Sequence, residues 1–377
     1  MSDNTAVMFL KRLKLKNYRL FSDVDISFQR GMNVLIGKNS TGKSTVLEAV
    51  NFLLNNNNAN IPADEIIPYD KRDQQTVQSR VDGFFEMSDI EKDNICSILT
   101  NDNDIEQIKN SHIEIYFSKI IYKSGRTVRV NPNVQVNGNS ISRNTNLLTK
   151  VINLLLPKLQ TSNVLKINDI EMNDLLPMRP LNELANLVSQ QSAYLNQYLR
   201  NTLYDIKQSS IDEFNKIKNE IMKAYTDISD MDVEFDAKRA QVQIYFKTIN
   251  NDYKIPLESE GWGIREFFYL LLTLRSYPDT IILKDEALTH LHKALLNNFI
   301  ISIDGLEYQM LTTSHIKELI RSLDFGNIII CRKCNGVTTV KNLMELDEIN
   351  KVFDELGYSM ESIPEIDSLL NNNQRST

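Results

Sequence analysis

Two hydrophobic periods alternate along the chain, and the switches between them mark its elements. FLKRLKLKNYRLFSDVDISFQRGMNVLIG, from residue 9, spaces apolar residues for two or three strands, with turns at KNYRLFSD and QRG. MNVLIG is a short, buried run rich in β-branched residues. GKSTVLEAVNFLLNN then brings apolar residues three and four apart and opens a helix. NNNNAN (55–60) is a low-complexity polar loop, and VQSRVDGFFEM is a further strand. IEIYFSKIIYKSGRTVRVNPNVQVNG (113–138) alternates strongly around SG and NG turn signals, which predicts hairpins.

From about 143 to 228 the texture turns helical, and heptad-like spacing after Leu181 suggests a helical hairpin or short arm. DVEFDAKRAQVQIYFKTINNDYKIPL returns to strands, with a hairpin at NND. After it come helix GIREFFYLLLTLRS, strand TIILK, helix HKALLNNFIIS, strand YQMLTTS, helix HIKELIRSL and strand NIIICRK. Strands and helices in that order predict a parallel sheet in an α/β core. The expected organisation is an N-terminal lobe at 1–158, a helical arm at 159–228, a C-terminal lobe at 229–345, and a helix with a disordered tail at 346–377.

Composition narrows the class. The chain has 377 residues, of which 42% are hydrophobic and 24% charged, as in ordinary soluble globular proteins. No apolar run approaches the ~20 residues of a membrane-spanning helix, and the N-terminus lacks the order of a signal peptide, so a cytoplasmic protein is expected. Three cysteines make no disulfide framework. Cys331 and Cys334 have zinc-knuckle spacing, but nothing nearby completes four ligands, so they read as a strand end. The net charge of −7 gives no general attraction for nucleic acid. Local basic clusters, Lys11, Arg12, Lys14, Lys16 and Arg19, and again Lys119, Lys123, Arg126 and Arg129, keep DNA possible as a partner.

GKNSTGKST, residues 37–45, matches G-x-x-x-x-G-K-[ST] between a buried strand and an amphipathic helix. Gly37 and Gly42 let the loop through Lys38, Asn39, Ser40 and Thr41 wrap a phosphate with its amides inward. Lys43 is expected to reach the β- and γ-phosphates, Ser44 to ligate Mg²⁺, and Thr45 to lie in the helix start that adds its dipole. A P-loop needs an acidic partner on a neighbouring strand, and TIILKDEALTHLH (280–292) supplies Asp285 and Glu286. Asp285 is the candidate metal carboxylate, directly or through the metal's water, and Glu286 the candidate polariser of attacking water. His290 and His292 read as residues packed in a turn.

Together these stretches resemble the ABC-class ATPases of the RecF, SMC and Rad50 group, especially short-armed relatives such as the ATPase part of the OLD-family (overcoming-lysogenization-defect) nucleases. The likeness is carried by LKLKNYRLFSDVDISF leading into GKNSTGKST, YKIPLESEGWGIREFFYLLLTL (253–274) at the signature segment, IILKDEALTHLH at the Walker B strand, and MLTTSH ending in His315. It implies an ABC-type head of mixed sheet and parallel α/β core with a helical arm. It implies a homodimer or higher even oligomer closed around ATP and Mg²⁺. Ser259 and Gly261, with Gly263, would contact the γ-phosphate held by the other subunit, and His315 would read that phosphate as the switch histidine. Lys284 stands where relatives have an apolar residue, and Ala287 where they have proline.

Relatives of OLD type carry a Toprim nuclease whose pattern is missing from this sequence. NDND (101–104) has the spacing of an Asp-x-Asp pair but reads as a solvated loop. The expected function is therefore a slow ATPase without nuclease activity, controlling a separate effector in anti-phage defence. The alternative is a RecF-like, ATP-dependent DNA-binding repair protein.

Overall fold

The computed structural model describes residues 9–54, 66–74, 76–86, 89–97, 99–110, 114–124, 127–137, 164–167, 178–190, 195–249, 251–276, 280–334, 337–343, 351 and 353. Its centre is a six-stranded sheet in the order β14-β13-β3-β12-β11-β7. These strands are β3 (Gly31–Ile36), β7 (Val164–Ile167), β11 (Ile281–Lys284), β12 (Gln309–Thr313), β13 (Ile328–Cys334) and β14 (Val337–Asn342). All neighbours are parallel except β13 and β14, which form an antiparallel pair.

Both faces of this sheet are covered, and strand alternation sorts its residues between two cores. Leu35, Ile281, Leu283, Leu311 and Ile329 pack with helix α1 (Lys43–Leu54) against one face. Beyond α1 lies a five-stranded antiparallel sheet, β2-β1-β4-β5-β6, formed by β1 (Phe9–Tyr18), β2 (Phe21–Ser27), β4 (Thr76–Glu86), β5 (Glu114–Ser124) and β6 (Thr127–Asn137). The helix is thus held between two sheets. Lys119 of β5 is buried there, and its Nζ donates to the Phe52 carbonyl in the last turn of α1 at 2.7 Å, where a cation suits the helix dipole.

Val34, Ile36, Ile282, Met310, Ile328 and Ile330 point to the other face. They meet α7 (Trp262–Ser276) and α8 (Lys293–Ile303), backed by α5 (Leu195–Ser209), α6 (Ile211–Ala224) and a small antiparallel sheet. That sheet, β10-β9-β8, joins β8 (Ile228–Asp236), β9 (Gln241–Thr248) and β10 (Asn251–Pro256). Three shorter helices, α2 (Asp89–Cys96), α3 (Asp102–Lys109) and α4 (Leu181–Gln190), precede this block, and α9 (Lys317–Arg321) follows β12.

Two side-chain amides stitch the sheets together by imitating a strand. Gln309 accepts from the Leu10 amide and donates to the Leu10 carbonyl, both at 2.9 Å. Asn342 does the same to Ser27, at 3.2 and 2.7 Å.

Several expectations change. The stretch read as arm contains β7, which pairs in parallel with β11 at the edge of the central sheet; a four-residue strand is too short to announce itself by period. NDND opens a helix rather than forming a loop: Asn101 caps α3 by accepting from the Asn103 amide, and of its four residues Asp104 is buried while the other three are exposed, as expected. The signature helix starts at Trp262, one residue before the glycine expected to begin it. Lys123, Arg126 and Arg129 have side chains outside the described residues, as does nearly all of the expected terminal segment 346–377. Among the described residues no helix is long and apolar enough to cross a membrane.

Candidate nucleotide-binding site

Parallel pairing fixes which strand ends meet. Leu35 is level with Thr313, and Thr312 with Lys284, so β3, β12 and β11 finish side by side. The loops leaving them are Gly37–Gly42, Ser314–His315 and Asp285–Glu286, and such carboxyl ends are where ligands bind in α/β sheets.

The first loop requires its glycines. Gly37 has φ +150° and Gly42 φ +92°, and Ser40 between them sits at φ 61°. A Cβ at Gly37 would collide with the Cys331 carbonyl of neighbouring β13, and one at Gly42 would lie 2.8 Å from the Phe21 ring. The loop is wound on itself: Lys43 Nζ donates to the Gly37 and Lys38 carbonyls at 2.8 and 3.0 Å, and Thr41 Oγ1 to Lys38 O at 2.8 Å. Lys38, Asn39, Ser40 and Ser44 are exposed around this buried lysine, and Thr45 is half-buried. Burial pulls the Lys43 ammonium below the usual lysine range, while Asp285 and Glu286 act the other way.

Asp285 accepts a hydrogen bond from the Thr313 hydroxyl, whose oxygen in turn accepts from the Glu286 amide at 2.8 Å. One threonine thus orients both carboxylate-bearing residues. Glu286 and Leu288 have φ of 49° and 66°, the left-handed region that side-chain-bearing residues rarely occupy. His315 is half-buried; desolvation and Lys43 lower its pKa, with Glu286 and Asp285 opposing. The net effect favours the neutral imidazole. The structure brings Lys43, Asp285, Glu286 and His315 within electrostatic reach of one another.

Ser259 and Gly261 stand instead on an exposed turn entering α7, and a Cβ on Gly261 would meet nothing within 4 Å. Gly263 is packed: its Cβ would strike the His290 carbonyl, which makes it the contact between α7 and the turn after β11. His290 also stacks beside Trp262 at 5.9 Å, and His292 caps α8 through Nδ1, which accepts from the Leu295 amide at 3.3 Å. Among the described residues no group of three or more His, Cys, Asp or Glu could hold a metal by itself. Cys331 is buried, with its thiol pushed up to about 12, and Cys334 is exposed.

Lys284 shares a face with Ile282 and points toward α7, where Glu266 lies 3.5 Å away; both side chains are about 5% exposed (6% and 5%). Glu266 Oε1 also accepts from the Leu288 amide at 2.9 Å. Reading the sequence missed Glu266, Thr312 and Thr313. Period-two alternation could have oriented Lys284, but the identity of its partner depends on how α7 is seated.

A strand–glycine loop–helix beside an Asp-Glu strand end and a histidine strand end defines a P-loop ATPase head. The chain belongs to the AAA ATPase domain family, whose model matches residues 8–320, and it resembles the RecF, SMC and Rad50 group of ABC-class ATPases. It is similar to the DNA replication and repair protein RecF of Halalkalibacterium halodurans, with 46% identity over 46 residues, 12% of each chain. The matched part amounts to only 12–20% of the length of the first such RecF relatives. An ATP/GTP phosphatase of Helicobacter pylori is 22% identical over 332 residues, covering 84% of this chain and 87% of the relative. Among solved structures, an SMC head bound to the C-winged helix domain of ScpA aligns with a TM-score of 0.54 at 14% identity. That alignment covers 91% of this chain and 100% of the other.

Proposed function

We propose that this ATPase binds ATP on the 37–45 loop, hydrolyses it slowly with Glu286 as the base, and closes as a homodimer around the nucleotide. The observation that carries the reading is the convergence of Lys43, Asp285, Glu286 and His315 at three adjacent strand ends. The loop's amides, Lys43 and the start of α1 would hold the phosphates. The steric fit supports this, because the loop is closed so tightly at Gly37 and Gly42 that neither position accepts a side chain. Ser44 and Asp285 would hold Mg²⁺, which when bound neutralises charge on the β- and γ-phosphates. Glu286 would take a proton from the attacking water, and His315 would hydrogen-bond the γ-phosphate. Ser259 and Gly261, on their exposed turn, are free to meet the phosphate of a second copy, with Gly263 seating the helix behind them.

Beyond the chemistry, the likeness of the quoted motifs to OLD-type ATPases supports control of a separate effector in phage defence. The RecF-like DNA reading loses support on the N-terminal strands. Lys11 is paired with Glu86, Arg12 and Lys14 with Asp25, and Arg19 with Glu48, while Lys119 is buried. Purification from the native operon, sized with and without ATP and DNA, separates these readings. A stable protein partner supports the first, and a DNA-loaded dimer without one overturns it. Glu286→Gln should abolish turnover and preserve the ATP-held dimer, and Lys43→Ala should abolish nucleotide binding; persistent turnover in Glu286→Gln would remove Glu286 as base.

A further inference from the structure

The turn that carries Glu286 is held in its left-handed conformation by three side chains from other elements. The amides of Glu286, Ala287 and Leu288 donate in succession to Thr313 Oγ1 at 2.8 Å, Thr312 Oγ1 at 3.2 Å and Glu266 Oε1 at 2.9 Å. Non-glycine residues keep φ near +50° to +70° only where the surroundings hold them there. The third anchor is unusual in its chemistry. Glu266 is a buried carboxylate on α7, and its Oε2 has no hydrogen-bond partner. A lone buried carboxylate is unfavourable, and the Lys284 ammonium 3.5 Å away compensates it. This accounts for a lysine at the end of an otherwise apolar strand, one residue before the candidate metal carboxylate.

Placement gives the pair a role beyond packing. Helix α7 begins beside the signature turn and touches the catalytic turn at two points, Gly263 against His290 and Glu266 on Leu288. Any shift of α7 is therefore transmitted to the residue two positions after Glu286. We propose that Glu266, paired with Lys284 and assisted by Thr312, is a positioning residue for hydrolysis that fixes the Leu288 amide, sets Glu286, and ties its geometry to the seating of the signature helix. This rests on the reading of Glu286 as base. It assigns Lys284 no contact with substrate; the lysine acts through Glu266.

The test compares two charge-free double variants of the full chain in steady-state ATP hydrolysis, with thermal melts alongside. Lys284→Met/Glu266→Leu removes the amide acceptor, whereas Lys284→Met/Glu266→Gln keeps an oxygen for the Leu288 amide. The first should lose roughly 10- to 100-fold in kcat, the scale of a small misplacement of a reacting group, with KM for ATP changed by less than about twofold. The second should keep kcat within about threefold of the parent, because the geometry is retained. Wild-type kcat in the leucine variant, or equal loss in both, would overturn the proposal. If the leucine variant does not fold, Thr312→Val removes the adjacent anchor. A lower kcat at constant KM supports the proposal there, and an unchanged kcat refutes it. Glu286→Gln in the same assay separates the two levels. If it loses turnover while the leucine variant keeps it, only the positioning role fails; if it keeps turnover, the base assignment fails and the positioning role with it.

Discussion

Arg200 offers the sharpest test of how the helical block is joined to the ATPase head. It lies on α5, its side chain only 5% exposed, and its Nη2 is 2.7 Å from Glu258 Oε1, one residue before Ser259. Its Nε donates to the Tyr269 hydroxyl at 2.7 Å, inside α7. Burial pushes that hydroxyl up to about 12, so it stays protonated and accepts from the guanidinium. Arg200→Met keeps most of the aliphatic volume but strands the Glu258 carboxylate and removes a donor from Tyr269. Removing one partner of a buried pair costs about 3–5 kcal/mol. Glu258 is 18% exposed and regains some hydration, so the lower end applies, about 3 kcal/mol. With an unfolding entropy of ~2.1 cal/mol/K per residue, 377 residues give ~0.8 kcal/mol/K and a Tm lower by about 4 °C. Denaturant melts of Arg200→Met, Glu258→Gln and the double variant form a cycle, with an expected coupling of about 1–3 kcal/mol. Because Glu258 leads directly into Ser259, ATP-dependent dimerisation should weaken more than ATP binding. Additive singles, to within about 0.5 kcal/mol, would refute the pair as a link.

Gly263→Ala sets two effects against each other. Helix propensity favours alanine by about 1 kcal/mol, but overpacking costs about 1–3 kcal/mol, and the obstacle is a backbone carbonyl that cannot swing aside. A net loss of about 1 kcal/mol is expected in chemical denaturation, and stabilisation would show the packing argument wrong. Gly42→Ala combines a φ of +92° with the Phe21 ring at 2.8 Å, so calorimetric titration should find ATP binding lost or greatly weakened. An unchanged Kd would rule out the tight loop as the phosphate cradle. Burial lowers Lys119 to about 8 in the fold, against 10.5 for an ordinary lysine. Between those values the unfolded chain binds more protons, so stability rises with pH. The Tm of the parent should therefore gain on that of Lys119→Met from pH 8 to 10.5; a constant difference would place Lys119 in water.

The legible parts of the site share one property: their conformation is set within a few residues. GKNSTGKST prescribes its own loop, because glycine at 37 and 42 permits backbone angles that nothing else tolerates there. The alternation in TIILK likewise orients Lys284 with Ile282, on the side away from α1. Short or distant pairings were less legible. The strand β7 is four residues long, and β14 follows β13 through a stretch with no apolar run. Both are strands because a neighbour already in the sheet offers its open edge. Asp104 read as solvated for the same reason, since a buried carboxylate differs from one in a polar loop only in what surrounds it.

By itself, then, the sequence determined the phosphate loop, the order of the longer strands and helices, and the adjacency of Asp285 and Glu286, since these follow from backbone sterics and period. Only the tertiary structure decided that Lys284 faces Glu266, that Thr313 bridges Asp285 and the Glu286 amide, and that Arg200 reaches the signature turn. Those partners are 18 to 58 residues apart in the chain, and no local rule relates them. They meet because burying the apolar faces of α5, α7 and the central sheet in one core carries these side chains to the same places, where pairing offsets the cost of burying polar groups.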